Sequence, residues 1–190
     1  MTTMSDRQHM TYEDFGRRFF EVAVTEERVG AAIGDIAGEA FEMGPICQGP
    51  GGIAKVTARV KIQHPRVTRH VGEMITFAIR IPLEIDMVVD LRIDKPQFVV
   101  YGEISLRASA LAAHPLLLIL DVKKPRPSDI SIHVTSKSLR AEVVRIIGGI
   151  DSEIKRFIAT HVAGEIDSPV SKQAQVINVA EMIDESWTGI

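Results

Sequence analysis

The most constraining feature of this 190-residue sequence is one long stretch in which apolar and polar side chains alternate. From Ile75 to Ile93, ten consecutive odd positions are apolar, whereas most of the even positions between them are charged, polar or small. A period of two places successive side chains on opposite faces of a strand. The pattern therefore predicts one extended strand of nineteen residues, far longer than the usual strand of about 5–6 residues.

A second long strand is expected to pair with the first through a hairpin loop at Asp94–Gln97. Closing this hairpin at Ile93 and Phe98 sets apolar residues opposite apolar residues along the whole pair, and a slip by one residue would set apolar against polar. The same register places Glu84 opposite Arg107, as a cross-strand pair of opposite charges. The sequence thus predicts an antiparallel hairpin of unusual length.

Three more strands are predicted around this hairpin. Ala54–Ile62 and Ile130–Val134 alternate in the same way. Leu116–Leu120 is apolar at every position, which is typical of a strand that is buried on both faces. Together with the hairpin, these segments predict an antiparallel meander of about five strands.

Two long amphipathic helices are expected to flank the sheet. Apolar residues at helical spacing predict one helix from Thr25 to Met43 and another from Ser138 to Glu165. Gly148 and Gly149 should kink or break the second helix, and Asp151 could restart it as a new N-cap.

Shorter elements are predicted at the two ends of the chain. Thr11 can cap a short helix, and Asn178 with Glu181 has the spacing of a capping box before a C-terminal helix. Residues 1–10 are expected to be a disordered tail and residues 11–190 a single domain. The predicted fold class is α+β: a long, curved antiparallel meander covered by two long helices, followed by a short C-terminal strand and helix.

Composition excludes several classes of function. The net charge of −3 and an aromatic content of 5% argue against a nucleic-acid-binding protein. A single cysteine excludes an intrachain disulfide and a thiolate zinc site, and we expect neither a metal nor another cofactor. The first residues lack the apolar stretch of a secretory signal, and no window reaches the roughly 18 apolar residues of a membrane span. We therefore expect a cytoplasmic protein.

No pattern in the sequence specifies a reaction, so enzymatic activity is less expected than binding. Cys47 lies in a segment rich in glycine and proline, predicted to be a loop, with no assignable base. His64 and His70 flank a predicted loop that could bind an anion but is more typical of a solvated turn. Three carboxylates share the polar face of the long strand, in a pattern that is ordinary for a solvated sheet surface: Glu84, Asp86 and Asp90.

One basic loop could contact an anionic lipid surface. Lys123, Lys124 and Arg126 lie close together beside two prolines, and three charges give only weak attraction to such a surface. A plain solvated loop is the alternative interpretation.

The apolar face of the sheet is the main candidate for a binding site. A long twisted sheet curls, and the helices must cover its concave side. If side chains fill the enclosed space, it is a core, and if they do not, it is an elongated aliphatic groove that suits an acyl chain. The residues that would line such a groove are Phe77, Ile79, Ile81, Leu83, Ile85, Met87, Val89, Ile33, Ile36, Ile154, Phe157 and Ile158.

The layout of helices and strands resembles the tubular lipid-binding (TULIP) superfamily, which includes the bactericidal/permeability-increasing-like and synaptotagmin-like mitochondrial lipid-binding domains. The matching pieces are Thr25–Met43, the meander from Ile53 to Thr135, and Ser138–Glu165. The resemblance implies that the protein binds a lipid or another elongated apolar molecule without catalysing a reaction.

Two alternatives stay open at the level of the sequence. A helix-grip (START-like) domain also has a curved sheet around a long C-terminal helix, and some of its members are enzymes. A structural protein, in which the apolar groove is closed by a second copy of the chain as a homodimer, is the other alternative.

Overall fold

The fold is α+β, as predicted, with a strongly curled antiparallel half-barrel sheet and a long helix towards its C-terminal end. The computed structural model describes residues 8–37, 40–48, 52, 54–91, 93–133 and 141–188. Within these residues the side chains of 35–37, 48, 141–144 and 147 are not described.

Eight strands of the described residues form one sheet, two more than the sequence predicts. They are β1 (Ala40–Gln48), β2 (Ala54–Ile62), β3 (Arg66–Val71), β4 (Ile75–Asp90), β5 (Gln97–Ala113), β6 (Leu117–Val122), β7 (Ile130–His133) and β8 (Val176–Asn178). The α-helices in the same residues are α1 (Tyr12–Ala23), α2 (Glu26–Ala37), α3 (Ala141–Asp167), α4 (Pro169–Ala174) and α5 (Val179–Thr188). A short 3₁₀ turn spans Pro127–Asp129.

The two long strands β4 and β5, of 16 and 17 residues, form the centre of the sheet. The strand order is β1-β2-β4-β5-β6-β8, and every pairing is antiparallel. β2 and β3 pair one after the other with different parts of β4, while β6 and β7 do the same along β5. The long extended strand predicted from the alternation is therefore confirmed, but it ends at Asp90 and not at Ile93.

The concave face of the sheet carries the core. Every odd position of β4 is buried and every even position is at least partly exposed, which confirms the predicted phase. On β5 the buried side chains are apolar or small, and they join the same cluster: Val100, Ile104, Leu106, Ala108 and Ala110. Helix α3 adds its own apolar stripe to this cluster: Ile150, Ile154, Ile158, Val162 and Ile166.

The predicted register of the β4–β5 hairpin is wrong by six residues. Met87 lies opposite Phe98, where the sequence predicts Ile104. The chain reverses between Leu91 and Asp94, and the backbone N–H of Leu91 donates to the carbonyl of Asp94 at 3.0 Å. Both registers set apolar residues opposite apolar residues, so the alternation pattern cannot distinguish between them. The position of the turn determines which register forms. Ile93 lies beyond the strand and is fully exposed.

In the observed register, the predicted cross-strand pair of Glu84 and Arg107 does not form. Glu84 lies opposite Tyr101, and Arg107 lies opposite Ala78. Glu84 instead forms an ion pair with Lys61 of the neighbouring strand β2, at 2.9 Å.

The helix predicted from Thr25 to Met43 is too long. Thr25 precedes α2 as expected, and its Oγ1 accepts the backbone N–H of Arg28 at 3.3 Å. The helix ends at Ala37, and Ala40–Gln48 forms strand β1, which includes the supposed loop around Cys47. Apolar residues at 40, 41 and 43 fit a helix or a strand, and pairing with the open edge of β2 decides between the two.

The predicted loop between His64 and His70 is mostly a strand. Arg66–Val71 forms β3 and pairs with the first half of β4. The sequence missed this strand because its side chains are largely exposed and polar, so the alternation is weak.

Helix α3 continues through Gly148 and Gly149, so the predicted break is wrong. Asp151 is not an N-cap but pairs with Lys155 one turn later, at 2.7 Å. Packing of the apolar stripe on the sheet outweighs the weak helix propensity of two glycines. The predicted N-cap Ser138 lies outside the described residues.

Two glycines are required by close backbone approaches. At Gly102 a Cβ would lie 2.7 Å from the carbonyl oxygen of Ser131, so the residue allows β7 to approach β5. At Gly44 the backbone has a φ of 110°, and a Cβ would lie 2.6 Å from the carbonyl oxygen of Val56, at the irregularity of β1.

Candidate ligand-binding site

Most of the residues predicted to line a lipid trough lie together in the interior of the half-barrel. The seven side chains of β4 are at most 2% exposed, and Ile33, Ile154 and Ile158 are equally buried in the same cluster. Because almost none of this surface is exposed to solvent, side chains fill the space between the sheet and the helices in this conformation. That these residues bind a ligand stays a prediction.

Of the other two predicted residues, only Phe157 has a described side chain. The side chain of Ile36 lies outside the described part of the chain. Phe157 is 40% exposed and stacks on Phe41 of β1, with ring centroids 6.0 Å apart. Phe157 therefore covers the edge of the sheet beside β1 rather than its centre.

Open apolar space lies at the opposite edge of the sheet from β1, beside β6 and β8. It forms a groove between helices α1 and α5, which we call the α1–α5 groove. Its volume is about 560 Å³, within the usual range of about 300–1,000 Å³ for small-molecule sites. Eight of its ten lining residues are apolar: Phe19, Val22, Ala23, Leu118, Ile177, Val179, Met182 and Ile183. The two polar lining residues are Arg28 and Ser186.

The floor and one wall of the groove are held by the C-terminal strand. β8 pairs with β6 and places Ile177 opposite Leu118. The backbone N–H of Val179 donates to the carbonyl of Leu116 at 3.0 Å, and Asn178 caps α5 by accepting the N–H of Glu181 at 3.3 Å. The predicted cap is confirmed, and it fixes where α5 begins.

The opposite wall is helix α1, which is capped at its start and attached to the sheet at its end. Thr11 caps it by accepting the backbone N–H of Asp14 at 3.1 Å, as predicted. At the other end, Arg69 of β3 donates from Nη1 to the carbonyls of Glu21 at 2.7 Å and Val24 at 2.9 Å. These bonds attach the end of α1 to the sheet.

One cation lies in the lining of this apolar groove. Arg28 Nη1 donates to the carbonyls of Val22 at 3.2 Å and Ala23 at 2.9 Å. No carboxylate of the described residues lies within 4.0 Å of its guanidinium nitrogens. Since a guanidinium has five N–H donors, Arg28 retains donors for an anionic group.

The carboxylates of the long strand form surface ion pairs. Lys61 Nζ lies 2.9 Å from Glu84 Oε1 and 2.9 Å from Asp86 Oδ2, and Asp90 pairs with Lys95 at 2.8 Å. Hydrogen bonds to Asp86 and then to Glu84 raise the pKa of Lys61. This arrangement is an ion-pair network on the convex face, with both carboxylates held by one cation.

A reactive cysteine and a metal site are the remaining candidates for chemistry. Cys47 is exposed on the edge strand β1, opposite Lys55. Within the part of the chain that the structure describes, no group of three or more histidine, cysteine, aspartate or glutamate side chains is close enough to hold a metal ion.

Sequence reasoning missed the α1–α5 groove because its walls come from opposite ends of the chain. Phe19 and Val22 lie on α1, and Met182 and Ile183 on α5, about 160 positions later. The available signal was local: Ile177 and Met182 have the spacing of a hydrophobic staple, which brings exposed apolar side chains to the start of α5.

Comparison with known proteins adds no family to this description. The chain matches no protein-family model and no curated protein sequence. Of the helices in the described residues, none has the length and apolar character to cross a membrane.

Proposed function

We propose that the protein is a non-catalytic binding protein for an elongated amphipathic molecule with one acyl chain and an anionic head group. The ligand binds in the α1–α5 groove, between the edge of the sheet and two helices. The observation that carries this proposal is the open apolar groove with one cation, Arg28, that has no carboxylate partner among the described residues.

The energetics favour a long chain. Burying one methylene group gains about 0.8 kcal/mol, so a chain of about twelve methylenes gains on the order of 10 kcal/mol. Association itself costs roughly 4–15 kcal/mol. Short chains therefore bind weakly, and affinity rises with chain length until the groove is filled.

The head group is selected by Arg28. A carboxylate or phosphate at the groove accepts hydrogen bonds from the guanidinium donors that the carbonyls of Val22 and Ala23 leave unused. Ser186 is the other polar residue of the lining, but its hydroxyl already donates to the carbonyl of Ile183 at 2.7 Å.

The groove is favoured over the interior as the site because it needs no rearrangement. A ligand between β4 and α3 would have to displace side chains such as Ile85 and Ile154, which have no exposed surface. In the groove, Val22, Met182 and Ile183 are 61%, 59% and 44% exposed and would be covered by the ligand.

The overall layout supports the same class of function. A half-barrel of long strands with a long helix is similar to the TULIP domains, whose members bind lipid, although no family match accompanies the likeness. A helix-grip domain normally ends with its long helix, whereas here α4, β8 and α5 follow α3, and β8 and α5 contribute lining residues to the groove.

A displacement titration tests the proposal. A dansyl-labelled undecanoic acid is bound to the protein and displaced by saturated fatty acids of increasing length. Ile183→Glu places a charge in the groove and should weaken binding at least tenfold. Val170→Glu, at an 80% exposed valine of α4 outside the groove, is the matched control and should bind like the wild type.

The homodimer alternative makes a different prediction for the same variant. If a second copy of the chain covers the groove, Ile183→Glu halves the mass measured by light scattering and the wild type binds no fatty acid. A monomeric wild type that binds the probe, with binding lost in Ile183→Glu alone, supports the ligand site. Absence of probe binding by the wild type contradicts it.

A further inference from the structure

A second depression, on the convex face of the sheet, is lined by five cations. We call it the basic pocket: Arg80 of β4, Arg107 of β5, and Lys123, Lys124 and Arg126 of the loop after β6. Its volume is about 460 Å³, and it shares no residue with the α1–α5 groove. The sequence indicated only the three loop cations, because the two arginines come from strands whose register it did not predict.

The register of β4 and β5 gives the pocket its shape. Arg107 lies opposite Ala78, and Arg80 lies opposite Ser105. Both arginines are exposed and project from the polar face, with the small side chains of Ala78 and Ser105 between them. Diagonal neighbours on one face of a sheet are about 7–8 Å apart. One anion can therefore contact the guanidinium groups of both arginines.

The loop that supplies the other cations is held in place by its own contacts. The backbone N–H of Lys123 donates to the carbonyl of Arg107 at 2.8 Å, which ties the loop to β5 beside the arginine. Pro125 is buried. Asp129 Oδ2 accepts the backbone N–H of Arg126 at 2.8 Å and its Nε at 3.4 Å. The loop is therefore preorganised for a ligand.

The carboxylates around the pocket neutralise its cations only in part. Arg80 Nη1 lies 3.8 Å from Glu103 Oε1, and Lys123 Nζ lies 2.6 Å from Asp121 Oδ2. Lys124 forms an ion pair with Asp167. Asp129 is the one acidic residue of the lining itself. Exposed pairs of this kind contribute only about 0–1 kcal/mol each, so the cations can turn towards a stronger anion.

Arg107 distinguishes this pocket from an ordinary patch of surface ion pairs. No carboxylate of the described residues lies within 4.0 Å of its guanidinium group, and it stands between the loop cations and Arg80. An arginine presents a planar fork of donors that matches phosphate oxygens in a bidentate geometry.

We propose that the basic pocket binds a phosphate group, held by Arg107 and Arg126 and surrounded by Lys123, Lys124 and Arg80. Phosphate is favoured over a carboxylate because five cations from three segments can contact several oxygens and a charge near −2. The phosphate belongs either to a free phosphorylated molecule or to the head group of a lipid. This site is independent of the α1–α5 groove.

Titration with inorganic pyrophosphate, followed by calorimetry, tests the free source. Flotation with vesicles of phosphatidylcholine, with and without phosphatidic acid, tests the lipid source. Arg107→Gln should weaken binding at least tenfold in the assay in which the wild type binds. Arg59→Gln removes an exposed arginine of the same face, outside the pocket, and should leave binding unchanged.

The outcomes separate the two sources from failure of the proposal. Pyrophosphate binding that is lost in Arg107→Gln identifies a free phosphorylated ligand. Binding only to vesicles with phosphatidic acid, and loss of that binding in the same variant, identifies a lipid head group. If the wild type binds neither probe, or if the Arg59 and Arg107 variants are equally affected, the proposal is wrong.

Discussion

The ring of Phe41 on the edge strand β1 stacks on the imidazole of His161 in α3, with ring centroids 3.8 Å apart and an angle of 28° between the planes. Phe157 stacks on Phe41 from the same helix. These contacts attach an edge strand to the long helix.

Phe41→Ala should therefore lower the free energy of unfolding by about 1–3 kcal/mol, below the 3–5 kcal/mol of a fully buried phenylalanine because Phe41 is only partly buried. Urea denaturation measures the change. Phe15→Ala, at a 60% exposed phenylalanine of α1, is the control and should change stability by no more than about 0.5 kcal/mol. Equal effects of the two variants would show that the stack contributes nothing specific.

Ile81→Trp tests whether the interior of the half-barrel is filled. Ile81 has no exposed surface, so a larger side chain must displace its neighbours and should lower the free energy of unfolding by about 1–3 kcal/mol or more. Folded molecules of this variant should still bind a fatty acid in the α1–α5 groove. If Ile81→Trp keeps the stability of the wild type but loses ligand binding, the interior is hollow and the ligand site lies there.

The charge of Asp129 should make stability depend on pH. Hydrogen bonds, first from the backbone N–H and then from the side chain of Arg126, lower the pKa of the Asp129 carboxyl group. Because the folded pKa lies below the unfolded value of about 3.9, ionised Asp129 stabilises the fold above that pH, and the stabilisation is lost as pH falls through the folded pKa.

We therefore expect the wild type to be more stable than Asp129→Asn at neutral pH. The difference should shrink as the pH falls from about 5 through the folded pKa. Urea denaturation across this range measures it, and Asp184→Asn on α5 is the control for the loss of one charge. A difference between wild type and Asp129→Asn that does not change with pH would contradict this account.

Much of the sheet could be predicted because a period of two is sensitive to burial on one face. The odd positions of β4 lie in the core, and the pattern shows this directly. The pattern does not specify where the chain turns, since the observed pairing of Ile85 with Val100 and the predicted one with Leu106 are both apolar. Strands β1 and β3 were missed because edge pairing, not alternation, makes them strands.

The candidate sites could be predicted only in fragments. The loop cations Lys123, Lys124 and Arg126 are adjacent in sequence, but Arg80 and Arg107 join them only through the sheet register. The α1–α5 groove needs β8 to bring α5 beside α1, and a three-residue strand has too little pattern to predict its partner.

Mass spectrometry of organic extracts from the purified native protein tests the central claim most directly. We predict that the wild type and Val170→Glu carry a single-chain anionic amphiphile in amounts that approach one per protein molecule, and that Ile183→Glu carries much less. A wild-type protein that yields no such amphiphile, or an Ile183→Glu variant that retains as much as the wild type, would contradict it.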